Sequence, residues 1–148
     1  MTLGGNDYDQ PAPGDPPPPF ASFQAKYDEM VVLIRNKHPT AHVFCAVAPS
    51  LQDNYPVGYN AYTSVKTAAS NVVTKYTGLG DTKLYFFEFT RSTNADVTAC
   101  DGHPNATKHH AMADEAIAQI RAYIVDQRVH GWRFQADHVV RAGLVSRR

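Results

Sequence analysis

The sequence predicts an α/β protein in which helices cover both faces of a short parallel sheet, an incomplete three-layer αβα arrangement. Two short apolar segments, 42–48 and 83–89, have the length and the β-branched and aromatic content of buried strands. Segments with helical periodicity lie before, between and after them. This alternation is typical of parallel sheets. Because a doubly wound sheet has about five strands or more, two full strands indicate that only part of such a fold is present.

The composition fits one globular domain and excludes several classes of partner. The chain has 148 residues, of which 43% are hydrophobic and 19% charged, and it needs no metal or disulfide framework to bury a core. Fourteen basic and fourteen acidic residues give zero net charge, so we expect neither a nucleic-acid nor an anionic-membrane partner. There is no transmembrane-length apolar run and no signal peptide, which predicts a cytoplasmic chain as written, although a longer parent protein could be secreted. The two cysteines, Cys45 and Cys100, are expected to be thiols.

The first part of the chain predicts a loop followed by an amphipathic helix. Segment 9–22 contains six of the ten prolines, which forbid a helix or a central strand there. Ser22 is then the expected start of a helix that ends near Lys37, before Pro39. Its apolar residues follow the spacing i, i+3, i+4, i+7: Tyr27, Met30, Val31 and Ile34.

Two further helices and a strand end complete the predicted elements. A second amphipathic stripe from Tyr62 to Tyr76 stops at glycines 78 and 80, and a third helix starts at Asn105 or Thr107. Thr2 and Leu3 fit the last residues of a third strand. We expect the partial domain to span 1–125. Segment 126–148, with five arginines and two aspartates, is predicted to be a loosely attached or disordered extension rather than a nucleic-acid site.

Residues whose side chains could take part in catalysis or binding occur at two places where strands or loops should end. Gly4, Gly5, Asn6 and Asp7 could turn the backbone tightly, and the Asn6 amide could donate a hydrogen bond to an oxyanion, although the same residues also suit a plain turn. In segment 101–105 a carboxylate, Asp101, stands two residues before the imidazole of His103 on a loop that leads into a helix. Such a pair suits a general base with its orienting group, or equally an aspartate at a helix start beside a solvated histidine.

In this order, the two motifs resemble the SGNH (GDSL-like) hydrolases, and most closely their carbohydrate acetylesterase branch. The resemblance covers about residues 1–125 and rests on segments 3–8, 20–23, 42–47 and 100–105. It implies a flavodoxin-like, SGNH-hydrolase-like fold, with Asn6 at the oxyanion hole and His103 as the base. The family aspartate usually lies three residues before the histidine, whereas Asp101 lies two before it, as in the acetylesterase branch. Gly4, Gly5 and Asp7 are the expected substrate-binding neighbours.

One block of the family pattern is absent. The family serine belongs to an N-terminal Gly-Asp-Ser block, and none of the six serines has a Gly-Asp-Ser or Gly-x-Ser-x-Gly context: Ser22, Ser50, Ser64, Ser70, Ser92 and Ser146. The sequence therefore resembles the C-terminal half of such a hydrolase. The functions that follow are hydrolysis of small acyl esters, acetylated sugars or lactones; metal-assisted lactone hydrolysis without a serine; or a non-catalytic fragment or interaction module.

Metal ligands and assembly complete the expectations from sequence. A serine-type mechanism requires no cofactor, whereas attack by water would benefit from a divalent cation such as calcium. Two acidic or histidine-rich groups could provide ligands: Asp7, Asp9 and Asp15; and His103, His109 and His110 with Asp101 and Asp114. Neither has a regular calcium-loop or zinc-site spacing. Because a partial sheet exposes an unpaired edge, we expect a homo-oligomer.

Overall fold

The computed structural model describes residues 1–8 and 16–143, with side chains up to residue 124. The chain divides into two compact units, Met1–His109 and His110–Arg148. All strands and three of the four α-helices lie in the first unit. Within the described part of the chain, no helix combines the length and the apolar composition that spanning a membrane requires.

The sheet is parallel, as predicted. Strand β1 (Val43–Val47) pairs with β2 (Leu84–Glu88) in a register that joins Val43 to Leu84 and Val47 to Glu88. Thr2 adds a single parallel bridge to Ala46 on the other side of β1. The predicted strand end at Thr2 is therefore present, and β1 is the middle of this short sheet.

Helices α2 (Phe20–Lys37) and α3 (Ala61–Gly78) pack against each other, and α3 contacts both strands. One face of the sheet, with Val43, Cys45, Val47 and Leu84, belongs to the same buried cluster as residues of these helices. By strand alternation, Tyr85 and Phe87 belong to the opposite face, and each is only 8% exposed. Because side chains on both faces are buried, the sheet is covered on both sides, as the α/β sandwich requires.

Helix α2 begins earlier than the sequence predicts. It starts at Phe20 rather than Ser22, because the carbonyl of Pro19 accepts the backbone N–H groups of Ser22 and Phe23 at 2.9 and 3.1 Å. Proline lacks an N–H but keeps its carbonyl, so the helix can begin directly after the last proline. The predicted loop 9–22 is shortened by three residues, and its part 9–15 lies outside the described residues.

The last helix, α4 (Ala106–Gly143), begins between the two predicted starting points. The side-chain oxygen of Asn105 accepts the Lys108 backbone N–H at 3.0 Å, which makes Asn105 the N-cap. The helix continues past the domain boundary predicted at residue 125. The side chains of 125–148 and the whole of 144–148 lie outside the described residues, so the arginine-rich extension stays a prediction.

Candidate functional site at the carboxyl edge of the sheet

The first predicted motif lies directly after the Thr2 bridge, where Gly5–Tyr8 forms a single helical turn, α1. Gly4 has a φ of +94°, and a β-carbon there would lie 2.5 Å from Val65 Cγ2 and 2.8 Å from Phe23 Cζ. A side chain at this position would overlap the core, so packing alone accounts for a glycine at position 4. No atom lies within 4 Å of a β-carbon built on Gly5.

Asn6 and Asp7 lie on the outer side of this turn. Both are exposed, whereas Tyr8, the last residue of α1, is 1% exposed and packs edge-on against Phe23. The buried Tyr8 thus fixes α1 against the core, and the Asn6 amide is left facing solvent. An exposed amide is available to an incoming ligand, as an oxyanion donor must be.

The second motif lies in the segment that follows β2. This segment runs beside the segment that follows β1: the Ser92 backbone N–H donates to the Pro49 carbonyl and Arg91 Nη2 to the Leu51 carbonyl, both at 2.9 Å. The segments after Thr2, β1 and β2 therefore all leave the carboxyl edge of one parallel sheet. Ligands of open α/β sheets bind at that edge.

The imidazole of His103 is held by a backbone carbonyl. Its Nδ1 lies 2.9 Å from the Cys100 oxygen. Because a carbonyl oxygen only accepts hydrogen bonds, Nδ1 carries the proton and Nε2 of the neutral ring is left with a free lone pair. The ring is exposed, so in its neutral form Nε2 is accessible to accept a proton, as a general base must.

The structure places the Cys100 carbonyl, rather than the Asp101 carboxylate, against the His103 ring, which Asp101 was predicted to orient. Asp101 has a φ of +52° within the short 3₁₀ turn Cys100–Gly102, and it is exposed. Among the described residues, the recorded partner of the His103 ring is the Cys100 carbonyl, and no hydrogen bond joins it to the Asp101 carboxylate. The left-handed Asp101 turns the backbone so that the carbonyl one residue earlier reaches the ring.

Asn105 fixes the same loop from the other side of His103. Besides capping α4, its side-chain amide donates to the Ala95 carbonyl at 2.8 Å and to Thr98 Oγ1 at 3.1 Å. Its backbone N–H donates to the Asp96 carbonyl at 2.7 Å. Because hydrogen bonds from Thr93 stabilise its charged form, the pKa of Asp96 is lowered. The loop that carries His103 is therefore ordered by its own hydrogen bonds.

A charged cluster at the end of β2 also borders this edge. Lys66 Nζ lies 2.8 Å from both Glu88 Oε2 and the Tyr62 hydroxyl, and the Arg91 guanidinium lies 4.2 Å from the Tyr62 ring centroid. Burial raises the pKa of Glu88, but its bonds to Lys66 and Tyr62 outweigh burial and lower it overall. The sequence alone does not indicate this cluster, because Tyr62 and Glu88 are 26 positions apart and its members follow no motif.

The predicted metal sites are only partly covered by the described residues. No group of three or more histidine, cysteine, aspartate or glutamate side chains that could hold a metal occurs among the residues that the structure describes. Asp9 and Asp15 lie outside them, so the calcium hypothesis stays a prediction. Cys45 is buried and Cys100 is exposed, and both are free thiols, as predicted.

Comparison with known proteins finds relatives of one kind. No protein-family model matches the chain. The cellulase/esterase CelE of Acetivibrio thermocellus is 31% identical over 99 residues, which are 67% of this chain and 11% of that protein. This chain thus spans about a ninth of the curated relative it matches.

Solved structures of carbohydrate esterases are similar in fold to this chain. A family two carbohydrate esterase from Clostridium thermocellum, in complex with cellohexaose, matches with a TM-score of 0.69 and 26% identity over 82% of this chain and 34% of that one. A carbohydrate esterase family 2 enzyme with a carbohydrate-binding domain, from Corynascus thermopiles (Myceliophthora fergusii), matches with a TM-score of 0.71 and 28% identity over 83% and 36%. The esterase from Cellvibrio japonicus, at 20% identity and a TM-score of 0.62, agrees in fold alone.

These findings confirm the predicted resemblance and the predicted fold class. The similar proteins are SGNH-type carbohydrate esterases, and this chain covers only part of each, in agreement with half of such a hydrolase. In the structure, the segments that carry the predicted site residues Asn6 and His103 leave the sheet at the same edge, on opposite sides of β1. Among the described residues, no direct contact joins Asn6 to His103.

Proposed function

We propose that this chain, a partial relative of the SGNH-type carbohydrate esterases, supplies the base and the oxyanion donor of an ester-hydrolysing site. The substrates are small acyl esters, above all acetyl esters of sugars, together with lactones. The observation that carries the proposal is the His103 imidazole, whose Nδ1 is engaged by the Cys100 carbonyl while Nε2 is left to accept a proton. Its relationship to carbohydrate esterases supports the same class of bond.

His103 acts on the attacking oxygen. Nε2 removes its proton as the oxygen adds to the ester carbonyl, and the positive charge that forms on the ring is stabilised by the Nδ1–H bond to the Cys100 carbonyl. The resulting imidazolium then returns the proton to the departing alkoxide when the tetrahedral intermediate collapses. A carbonyl dipole stabilises this cation less than a full carboxylate charge would.

Asn6 serves the carbonyl oxygen. As the tetrahedral intermediate forms, this oxygen gains negative charge, and an amide N–H that points at it stabilises the transition state more than the ground state. The single turn of α1 holds Asn6 at the sheet edge, because Tyr8 is anchored in the core. Gly4, Gly5 and Asp7 form the surrounding substrate-binding surface in this proposal.

In this proposal the attacking oxygen is that of water or of a serine not recognised by its sequence context. No hydrogen bond between His103 and a serine is recorded among the described residues, and Ser146 lies outside them. Water is a poorer nucleophile than an activated serine, so if water attacks we expect activated esters and strained lactones to be the most accessible substrates.

The test compares hydrolysis of an aryl acetate, an acetylated sugar and a small lactone by the purified chain and by His103→Gln. Glutamine keeps the size and polarity of the side chain but cannot act as a base near neutral pH. We expect the variant to lose nearly all turnover above the uncatalysed rate. Hydrolysis at the parent rate in the variant would contradict the proposal.

Matched controls separate the site from general imidazole chemistry. His109 is another exposed histidine six residues later, so His109→Gln should leave the rate unchanged.

Parallel assays with a chelator, with added calcium and with a serine-directed organophosphate identify the nucleophile. If water attacks, hydrolysis should continue in the presence of the organophosphate. Inactivation by the organophosphate would assign the attack to a serine. Loss of activity in chelator, restored by calcium, would assign a metal-bound water.

A further inference from the structure

Lys108 is the one buried charged side chain among the described residues, and it lies five positions after His103. It is 5% exposed. Its ammonium lies 2.6 Å from the carbonyl oxygen of Thr90 and 3.5 Å from that of Arg91. Both carbonyls belong to the segment just after β2. Lysine is almost never fully buried unless it is paired, so this arrangement calls for a physical reason.

The position of Lys108 makes its burial more costly. It is the third residue of α4, where the free N–H groups of the helix end create a positive potential that disfavours a cation. No ion pair of Lys108 with a carboxylate occurs among the described residues. The ammonium is therefore compensated mainly by hydrogen bonds to backbone carbonyls.

Those bonds close the loop that carries the proposed base. The Lys108 ammonium joins the first turn of α4 to Thr90, 18 positions earlier, and His103 lies between the two. Inside this loop the Ala99 backbone N–H donates to the His103 carbonyl at 3.1 Å, and Asn105 holds Ala95 and Asp96. The internal bonds order parts of the loop, and the Lys108 bonds attach its helical end to the end of β2.

We propose that Lys108 is a positioning residue for His103: by binding the Thr90 and Arg91 carbonyls, its ammonium holds the loop so that the Cys100 carbonyl meets Nδ1 and Nε2 faces the carboxyl edge of the sheet. The inference rests on the proposed function of His103 as a base. Lys108 contacts neither the substrate nor the His103 imidazole, so its role is to position the loop.

The test reads the tautomer of His103 directly and needs no catalytic activity. Long-range ¹H–¹⁵N correlation spectra of the imidazoles are recorded at a pH above the titration of the ring, and the His103 signals are identified by their absence in His103→Gln. We expect the parent chain to show His103 as the Nδ1–H tautomer. In Lys108→Met, which keeps the apolar stem but lacks donors, we expect a mixture of both tautomers and at least a tenfold loss of kcat with KM changed less than threefold.

A second lysine provides the matched control. Lys83 Nζ also donates to a backbone carbonyl, that of Thr40 at 3.2 Å, but this bond is exposed and Lys83 directly precedes β2 at its amino end. Lys83→Met should leave the His103 tautomer and kcat unchanged. If Lys108→Met lowers the thermal midpoint but His103 keeps its Nδ1–H form and its kcat, Lys108 is only structural and the proposal is overturned.

If Lys108→Met does not fold, Lys108→Arg decides. Arginine keeps the cation and its donors, so the Nδ1–H form should persist; a folded Lys108→Arg chain with mixed tautomers overturns the proposal. A different outcome would contradict the proposed function of His103 as the base without contradicting the positioning role of Lys108. If His103→Gln hydrolyses esters as fast as the parent while Lys108→Met still disturbs the tautomer, Lys108 positions a histidine that is not the base.

Discussion

The exposed amide of Asn6 is held by the one-turn helix α1, and among residues 1–8 and 16–124 it has no side-chain contact of its own. Asn6→Ala should therefore leave the unfolding free energy nearly unchanged. If the amide donates to the oxyanion, the substitution should lower kcat about 10²–10³-fold, the loss typical of one such donor.

The measurement for Asn6 is kcat on an activated acetate ester, beside that of Asn71→Ala. Asn71 is also a hydrogen-bonding asparagine, but its amide donates to Gln24 in the groove between α2 and α3, so its removal should not affect turnover. An unchanged kcat in Asn6→Ala would return Asn6 to the plain-turn alternative.

Gly4 allows a second prediction at the residue scale, on stability. Gly4→Ala places a methyl group against Val65 and Phe23 and forces a non-glycine residue to adopt a φ of +94°. Backbone strain and overpacking together should lower the unfolding free energy by about 2–4 kcal/mol. Urea unfolding measures the loss, and Gly5→Ala, where no atom lies within 4 Å of the added carbon, should cost less. Equal losses in the two variants would show that the close packing at Gly4 is not the cause.

The sequence was sufficient to predict that His103 lies in a short loop before a helix, and its role as a base stays a prediction. It could not identify the atom that orients the ring. That atom is a backbone oxygen, that of Cys100, and its position depends on the left-handed conformation of Asp101. Lys108 was missed for a related reason, since lysine on a helix is normally exposed and nothing local indicates that Thr90 lies beside it.

At the scale of elements, the sequence predicted the described strands and α-helices of the first unit except α1, and it did not predict the 3₁₀ turn Cys100–Gly102. Segments 42–48 and 83–89 enclose the observed β1 and β2 with one extra residue at each end. The α1 turn was missed because a helix of four residues has no periodicity to detect. The start of α2 was placed two residues late, because the proline carbonyl that accepts its first bonds was not considered.

The amino ends of the strands are tied to α2 by one arginine. Arg35 forms an ion pair with Asp81 and also donates to the carbonyls of Ala41 and Lys83 at 2.9 Å. Burial raises the pKa of Asp81, but the Arg35 and Lys83 hydrogen bonds outweigh it, so the pKa lies below its usual value. An aspartate with a lowered pKa stabilises the folded chain above the unfolded value of 3.8, and this contribution is lost as the pH falls through the folded pKa.

Asp81→Asn should therefore lower the unfolding free energy by about 1–3 kcal/mol at pH 7, because it leaves the half-buried Arg35 charge without its partner. The difference from the parent chain should shrink as the pH is lowered from about 5 to 2, where Asp81 itself becomes protonated. Urea unfolding across this pH range measures both the loss of unfolding free energy and its dependence on pH. Asp28→Asn, which breaks a more exposed pair with Lys75, should cost at most about 1 kcal/mol. A pH-independent difference for Asp81→Asn would contradict the assignment.

At the scale of the whole molecule, the sheet is covered unevenly along its Thr2 edge. Among the described residues, Met1 and Thr2 alone pair with the outer side of β1: the Ala46 backbone N–H donates to the Met1 carbonyl at 2.8 Å, and Thr2 bridges Ala46. On α2, Met30 and Leu33 are 39% and 52% exposed, three positions apart on one flank of the helix. An uncovered strand edge and an apolar helix flank both favour association.

We therefore expect a homodimer or larger assembly, in which a second copy buries the same surface under two-fold symmetry. Light scattering should give at least twice the mass of the chain, and the thermal midpoint should rise with protein concentration, because association stabilises only the folded state. Leu33→Lys should shift the chain toward monomer, whereas Leu79→Lys, at a 75% exposed position after α3, should not. A monodisperse parent monomer with a concentration-independent midpoint would show that the chain covers this edge by itself.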